Sequence, residues 1–538
     1  MKFNYKKALK RIRQEELKGN NPIPDILSFL HLKRLYEEKL YNALDKLFDD
    51  YKSKLKTPAP LLKIDVPKPN FTIRPMSRPE IKDWILFEAI VEFIKTKIIK
   101  RIENEHICNR SFSFLNFLPN SEKEKNWIKF DDKSRELYTL GYKYAVVADL
   151  TGYYENINLN ELKKRLSNYL DKDEENKKVI EVLYKMLTKW SEERISGHGL
   201  PQGPPASAFL ADLYLDLVDR KMEYYKNYFR YMDDIRIFCK SEIEAKKALK
   251  DLIIALRSIK LNINAKKTKI LKEREVEEVL FDIHKSSLNL IDSILKSRDL
   301  SRIKETIPTL FKIFECSFLD DPFEKTHLNF SLYRLAMLHS SSIEIETDKI
   351  IFLIKENFVS KPHHAGLFCF FLSLFPKNQT IADFLISFLK SEDNIYEWQE
   401  VKVLQCLLRF KITLNREHIQ FFIKAAEDSN KHFTSRAYYF LLVGKHGSNR
   451  DRELIVDLYN ESFGKYLKMA IILAVQELGR DSRNGFYSRI RRNEKDNEIT
   501  LFIDYVKSLK TPIYYLDVDR PKLEILEEAE SSWYPWES

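Results

Sequence analysis

Residues 229–238 read FRYMDDIRIF, and no other stretch restricts the fold as strongly. Aromatic and β-branched residues on both sides favour extended backbone, while the adjacent carboxylates of Asp233 and Asp234 favour a turn. The segment therefore predicts a β-hairpin with an acidic tip. Taken alone, such a tip is an ordinary solvated turn, so its meaning depends on what the rest of the chain brings to it.

A second strand-forming run, KYAVVADLTGYYENI (143–157), places Asp149 at a strand end, followed by a turn-like Thr-Gly and by Tyr153 and Tyr154. Helical stretches follow to about residue 193, then a Gly/Pro loop, SGHGLPQGPPAS (196–207), that opens another helix. Beyond the hairpin come a helix over about 241–259 and a short strand near KTKIL (267–271). This order predicts an α+β unit with a mainly antiparallel sheet covered by helices on one face. Upstream, IKDWILFEAIVEFIKTKIIKRIE (81–103) has helical periodicity. The segment TPAPLLKIDVPKPNF (57–71), with four prolines, reads as an extended connector.

If the two strand runs are neighbours, Asp149 and Asp233 converge at one sheet edge, with Asp234 beside them. Three ionised carboxylates at that spacing repel, and mutual repulsion raises a pKa. A pair of Mg²⁺ ions, with Mn²⁺ as substitute, removes the conflict, because hard cations take oxygen ligands. Two such ions about 4 Å apart stabilise the attacking and leaving oxygens of a phosphoryl displacement. Gly199 and Gly203 permit unusual backbone angles in the intervening loop, and Gln202 offers a donor and an acceptor to a nucleotide. Lys267, in LNINAKKTKIL, is a mobile cation suited to a polyphosphate or to protonating a leaving pyrophosphate.

The order DLTGYYENI, GLPQGPPAS, YMDD and Asn-x-x-Lys-Thr (Asn264 to Thr268) resembles motifs A to D of reverse transcriptases, over roughly residues 70–280. The resemblance implies a right-hand polymerase with fingers and a palm built on an antiparallel ferredoxin-like sheet, acting on dNTPs. It implies that Asp149 and Asp233 are the principal metal ligands, that Asp234 is the second carboxylate of the hairpin motif, and that Lys267 assists catalysis. Tyr154 falls where these enzymes carry an aromatic gate against the ribose 2′-hydroxyl, with Tyr153 as its core neighbour. Gln202 and Gly203 fall in the nucleotide-binding loop. IRPMSRP (73–79) resembles the first fingers motif and makes Arg74 and Arg78 triphosphate contacts, with Arg110 a third candidate.

From about residue 282 the character changes to long amphipathic runs with few strand signals, paired at roughly 35–45 residues as in HEAT-like solenoids. The expected division is residues 1–65 as a helical region and connector, 66–280 as fingers and palm, and 281–538 as a helical repeat domain ending in an acidic aromatic tail. A palm of this type with such an extension looks most like bacterial abortive-infection and defence-associated reverse transcriptases, AbiK among them. That likeness implies anti-phage defence, homo-oligomeric assembly and DNA synthesis primed from a protein hydroxyl. Some members need no template and others copy a non-coding RNA. Tyr5, Tyr514, Tyr515 and Tyr534, on segments that read as polar and mobile, are the candidate primers. Two alternatives stay open: a templated enzyme of retron or group II intron type, and a non-catalytic helical scaffold with a vestigial palm. Arg334 and His339 share an RxxxxH spacing with HEPN ribonucleases, but one such pair in a helical, basic chain reads as structural.

The formal net charge of +10 across 538 residues suits an anionic partner. Five cysteines without a CxxC pair argue against a disulfide framework or a zinc site, and make a reducing cytoplasm the expected location. The N-terminus has no signal-peptide core, and the most apolar run, HHAGLFCFFLSLF (363–375), is too short to span a bilayer and reads as a buried helix.

Overall fold

The computed structural model describes residues 2–17, 21–26, 37–102, 110–117, 123–192, 196–281, 285–319, 323–494 and 496–515. The centre is a four-stranded antiparallel sheet. Its strands are β3 (Tyr144–Ala148), β4 (Tyr228–Tyr231), β5 (Asp234–Cys239) and β6 (Lys269–Lys272), in the spatial order β4-β5-β3-β6. Helices Leu159–Tyr169, Glu174–Ser191 and Pro205–Tyr214 lie between β3 and β4, and helix Glu242–Arg257 lies between β5 and β6. That is the β-α-β-β-α-β order of a ferredoxin-like sheet. Alternation makes the layers: Val146, Ile235 and Ile237 face a core shared with these helices, whereas Ala145, Phe229 and Phe238 face a second cluster with Phe130 and Leu271.

The expected connector over 57–71 is in part a strand. β1 (Leu62–Pro67) pairs antiparallel with β2 (Ile73–Arg78), from Leu62 opposite Arg78 to Pro67 opposite Ile73. The prolines are tolerated because this sheet has two strands only, so each keeps a free edge that needs no ladder donor. The turn between them puts Asn70 and Phe71 at φ +62° and +59°. The expected boundary at 65/66 thus falls inside β1.

Among the described residues, everything from Lys285 to Lys507 is helix or connection. The apolar run predicted as a buried helix is helix Ala365–Leu372, with Phe368, Phe371 and Leu372 fully buried. The core of this half also takes in Ile23, Ile26 and Ile64 from the N-terminal segment and β1. Three polar contacts reinforce the junction. Tyr466 donates to the Pro24 carbonyl (2.7 Å), His432 Nε2 donates to the Lys63 carbonyl (2.8 Å), and Tyr396 donates to the Phe71 carbonyl (3.1 Å). The helical half is a platform on which the fingers hairpin rests. Arg334 is buried against Asp292 (2.6 Å), and the His339 ring lies 4.6 Å from that of Phe375, the structural roles expected of both. No described helix is long and apolar enough to cross a membrane.

Candidate active site

In the β3/β5 pairing Ala148 lies opposite Ile235, and one further step of that register sets Asp149 across from Asp234. The predicted convergence is therefore present. β3 and β4 run the same way, so Asp149 and the β4–β5 turn emerge at one edge of the sheet. Asp234 has a protein cation at hand, with Arg236 Nη2 at 3.6 Å from its Oδ2. Burial, followed by the neighbouring charges of Asp149 and Asp234, raises the Asp233 carboxyl above its usual range. Asp234 is raised as well, chiefly by burial, with Arg236 opposing and Asp149 adding.

What holds the acidic turn is a buried network that the sequence motifs did not single out. Arg230, in the middle of β4, is fully buried and grips the Asp219 carboxylate with two bonds of 2.8 and 2.7 Å. It also pairs with Asp212, which accepts from Ser111 (2.9 Å) and Ser113 (2.7 Å). Ser113 Oγ in turn accepts the Met232 N–H at 2.8 Å, and Met232 sits at φ +52°. A strained residue next to Asp233 is thus fixed by a charge-paired anchor beneath it. The available signal was a lone charge in each of two apolar runs, Arg230 in YFRY and Asp212 in AFLADLYL, and the two charges meet.

Asn264 and Lys267 reach Asp149 from the other side. The Asn264 N–H donates to the Asp149 carbonyl (2.7 Å), and Lys267 Nζ stands 3.3 Å from Asp149 Oδ2. Arg74 is exposed on β2 and lies close enough to act electrostatically on Asp233 and Tyr154. Lys68, which sequence reasoning passed over inside the supposed connector, joins it. Its ammonium is pushed down by burial and by the neighbouring Arg74 and Lys267. Three cations therefore face the carboxylate edge, an arrangement suited to a polyphosphate between them.

Arg78 is not among them. It is buried, donates to the Ile23 carbonyl (3.0 Å) and pairs with Asp25 (3.4 Å), because β2 passes from an exposed start at Ile73 and Arg74 to a covered end at Ser77 and Arg78. Arg110 donates to the carbonyls of Tyr225, Lys226 and Tyr228 at 2.8–3.0 Å, which is a structural role.

Tyr153 is core, with its hydroxyl donating to the Ala211 carbonyl. Tyr154 is half-buried, and burial together with the charge of Asp233 raises its phenol. The Gly/Pro loop is stitched to this segment, since Gly199 N–H donates to the Ile157 carbonyl (2.8 Å) and Leu200 N–H to the Tyr154 carbonyl (2.9 Å). The Gln202 carbonyl accepts the Ser77 N–H at 2.7 Å, and its side chain lines a small pocket with Ser77, Glu155 and His198. Gly203 closes the loop against β2.

Of the candidate primers, Tyr5 is buried and donates to Asp45 (2.6 Å). Tyr514 is buried and donates to the Gly444 carbonyl (2.8 Å) and to Glu477 (2.5 Å). Neither lies on a mobile polar segment, because amphipathic packing folds both into cores. Tyr515 is half-buried against Arg409 and Lys445, and Tyr534 lies outside the described residues.

An antiparallel palm sheet with a carboxylate edge, a cationic rim and a helix-opening loop defines a nucleic-acid polymerase site. Residues 66–281 match the family described as reverse transcriptase (RNA-dependent DNA polymerase), so the chain carries a domain of that class, and this match supports RNA-directed DNA polymerase activity. No curated protein matches the sequence. Among solved structures, the chain is similar to telomerase from Candida albicans in complex with a TWJ fragment of telomeric RNA. That match has 11% identity and a TM-score of 0.33, over 73% of this chain and 70% of that one. Apo telomerase from Candida tropicalis gives 12% identity and a TM-score of 0.33, over 76% and 70%.

Proposed function

We propose that this chain makes DNA from dNTPs by two-metal nucleotidyl transfer at the β3/β5 edge. The observation that carries the reading is the in-register approach of Asp149 to the Asp233-Asp234 turn. The donor set fits a hard divalent cation: carboxylate oxygens alone, with Asp233 and Asp234 both raised by burial and by like charge. Asp149 and Asp233 would hold two Mg²⁺ ions, or Mn²⁺, with Asp234 contributing beside its partner Arg236. When bound, such ions stabilise the attacking and leaving oxygens of the displacement. The protein's own residues do the rest. Lys68, Arg74 and Lys267 would orient the triphosphate, Lys267 would protonate the departing pyrophosphate, and the Tyr154 ring would exclude a 2′-hydroxyl.

The biological part of the proposal rests on the motif resemblance. It comprises a role in bacterial anti-phage defence, a homo-oligomeric cytoplasmic enzyme, and synthesis primed from a protein hydroxyl with either no template or a non-coding RNA. The hydroxyls of Tyr5 and Tyr514 are committed within cores, so the primer must be another, with Tyr515 and Tyr534 still candidates. The test is to purify the full chain from cells and add labelled dNTPs with and without a primed RNA template. Incorporation that needs Asp149 and Asp233 supports the polymerase reading, and its absence with either metal ion overturns it. DNA that survives boiling in detergent but is released by protease supports protein priming. DNA that leaves on denaturation with a free 5′ end overturns it.

A further inference from the structure

Far from the palm, the helical half brings together Glu324, the first residue of helix Glu324–Ser340, and the adjacent His363 and His364 of the turn Pro362–His364. One ligand atom from each lies within 4.8 Å of the others. His364 Nε2 is 3.1 Å and His363 Nε2 3.5 Å from Glu324 Oε1. A tetrahedral zinc ion with bonds of about 2.0–2.1 Å has ligand-to-ligand edges of about 3.3 Å. The two measured separations bracket that edge.

A plain charge network accounts for part of the cluster. Lys361 Nζ sits 2.9 Å from the same Glu324 oxygen, and His364 hydrogen-bonds to it. It leaves His363 poorly served, because its Nδ1 is buried without a hydrogen-bond partner and its Nε2 reaches Glu324 only at 3.5 Å. A buried imidazole paired this weakly costs desolvation that the network returns only in small part. A metal ion at the centre would take the one lone pair of the neutral imidazole directly.

We propose that Glu324, His363 and His364 form a His₂Glu site for Zn²⁺ that ties the 362–364 turn to the start of helix Glu324–Ser340. The cysteine spacing argued against zinc, and this site uses no cysteine. Imidazole ligands select zinc over magnesium, so the site is chemically separate from the carboxylates of the palm. Lys361 is the cation that holds Glu324 without metal, and zinc must displace it.

The test uses the full-length chain carrying Asp149→Asn and Asp233→Asn, so that the palm contributes no metal, and zinc alone as the probe. After equilibrium dialysis, elemental analysis should find about one zinc per chain. Glu324→Gln and His363→Gln should each lower the zinc affinity at least about tenfold. His363→Gln keeps the Lys361–Glu324–His364 contacts, so its thermal unfolding without zinc should match the parent and exclude misfolding. Lys361→Met removes the competing ammonium and should tighten binding. No retained zinc in the parent, undiminished zinc in His363→Gln, or binding no tighter in Lys361→Met each overturns the site.

Discussion

Gly203 lies against the backbone of Ser77 so closely that a Cβ built on it would come within 2.6 Å of the Ser77 carbonyl oxygen, and its φ is +140°. Together with the bond from Ser77 N–H to the Gln202 carbonyl (2.7 Å), this contact registers the palm loop on the fingers strand that carries Arg74. Gly203→Ala must therefore either strain the loop or push it off β2. The expected cost is about 1–3 kcal/mol of stability, with a raised KM for dNTP. Urea denaturation and steady-state incorporation check both, and a variant unchanged in both would show that the loop does not register the fingers.

The carboxylate edge makes a prediction about pH and metal. Asp233 and Asp234 have folded-state pKa values above those of the unfolded chain, so between the two the folded protein binds more protons. Metal-free stability then falls as pH rises from the unfolded to the folded value. Added Mg²⁺ should offset that fall, and Asp233→Asn should flatten it while abolishing incorporation. Urea midpoints from about pH 4 to 7, with and without Mg²⁺, read the effect. Synthesis retained in Asp233→Asn or Asp149→Asn would sink the assignment.

The polymerase half was legible because its chemistry is written in contiguous stretches. Asp149 directly follows β3, Asp233 sits in the β4–β5 turn and Asp234 begins β5, and the strand order follows from the α+β sequence of elements. Arg230, Asp212 and Lys68 were harder to read. The first two matter only through a contact across 18 residues, and Lys68 hides among prolines that mimic a linker. Arg78 misled because it shares a strand face with Arg74, and the two differ only in that β2 runs from an exposed end into a covered one. Without knowing what covered β2, the sequence gives no means of sorting Arg74 from Arg78. Tyr5 and Tyr514 misled for a related reason, since polar neighbours in sequence were solvent-facing positions of helices and turns whose other face is core.

The paired tyrosines separate selectivity from stability. Tyr154→Ala should raise ribonucleotide use relative to dNTP use on the order of tenfold, since it opens space beneath the sugar without removing a buried hydrogen bond. Tyr153→Ala removes a fully packed ring and its bond to the Ala211 carbonyl, and should cost about 3 kcal/mol with little change in discrimination. Single-nucleotide incorporation with dNTP and rNTP in parallel distinguishes them. Unchanged discrimination in Tyr154→Ala would place the gate elsewhere.

Arg74 and Arg78, four residues apart on one strand, should fail in opposite ways. Arg78 is buried where Asp25, the Ile23 carbonyl and the core of the helical half meet, so Arg78→Ala leaves Asp25 as a buried charge without its guanidinium. Loss of one partner of a buried pair typically costs about 3–5 kcal/mol. The damage should also spread to the helical half, because Ile23, Ile26 and Ile64 are part of its core. For the same reason, cutting the chain after residue 281 should give a palm of low solubility instead of a minimal polymerase. Arg74 is exposed and faces the carboxylate edge. Arg74→Ala should leave stability within about 0.5 kcal/mol, since surface changes rarely exceed that. It should raise the dNTP KM about tenfold through loss of a charge-assisted phosphate contact. Thermal unfolding and incorporation kinetics on the two variants decide the matter. A stable Arg78→Ala with a raised KM would return Arg78 to the triphosphate, and an Arg74→Ala with unchanged KM would remove Arg74 from it.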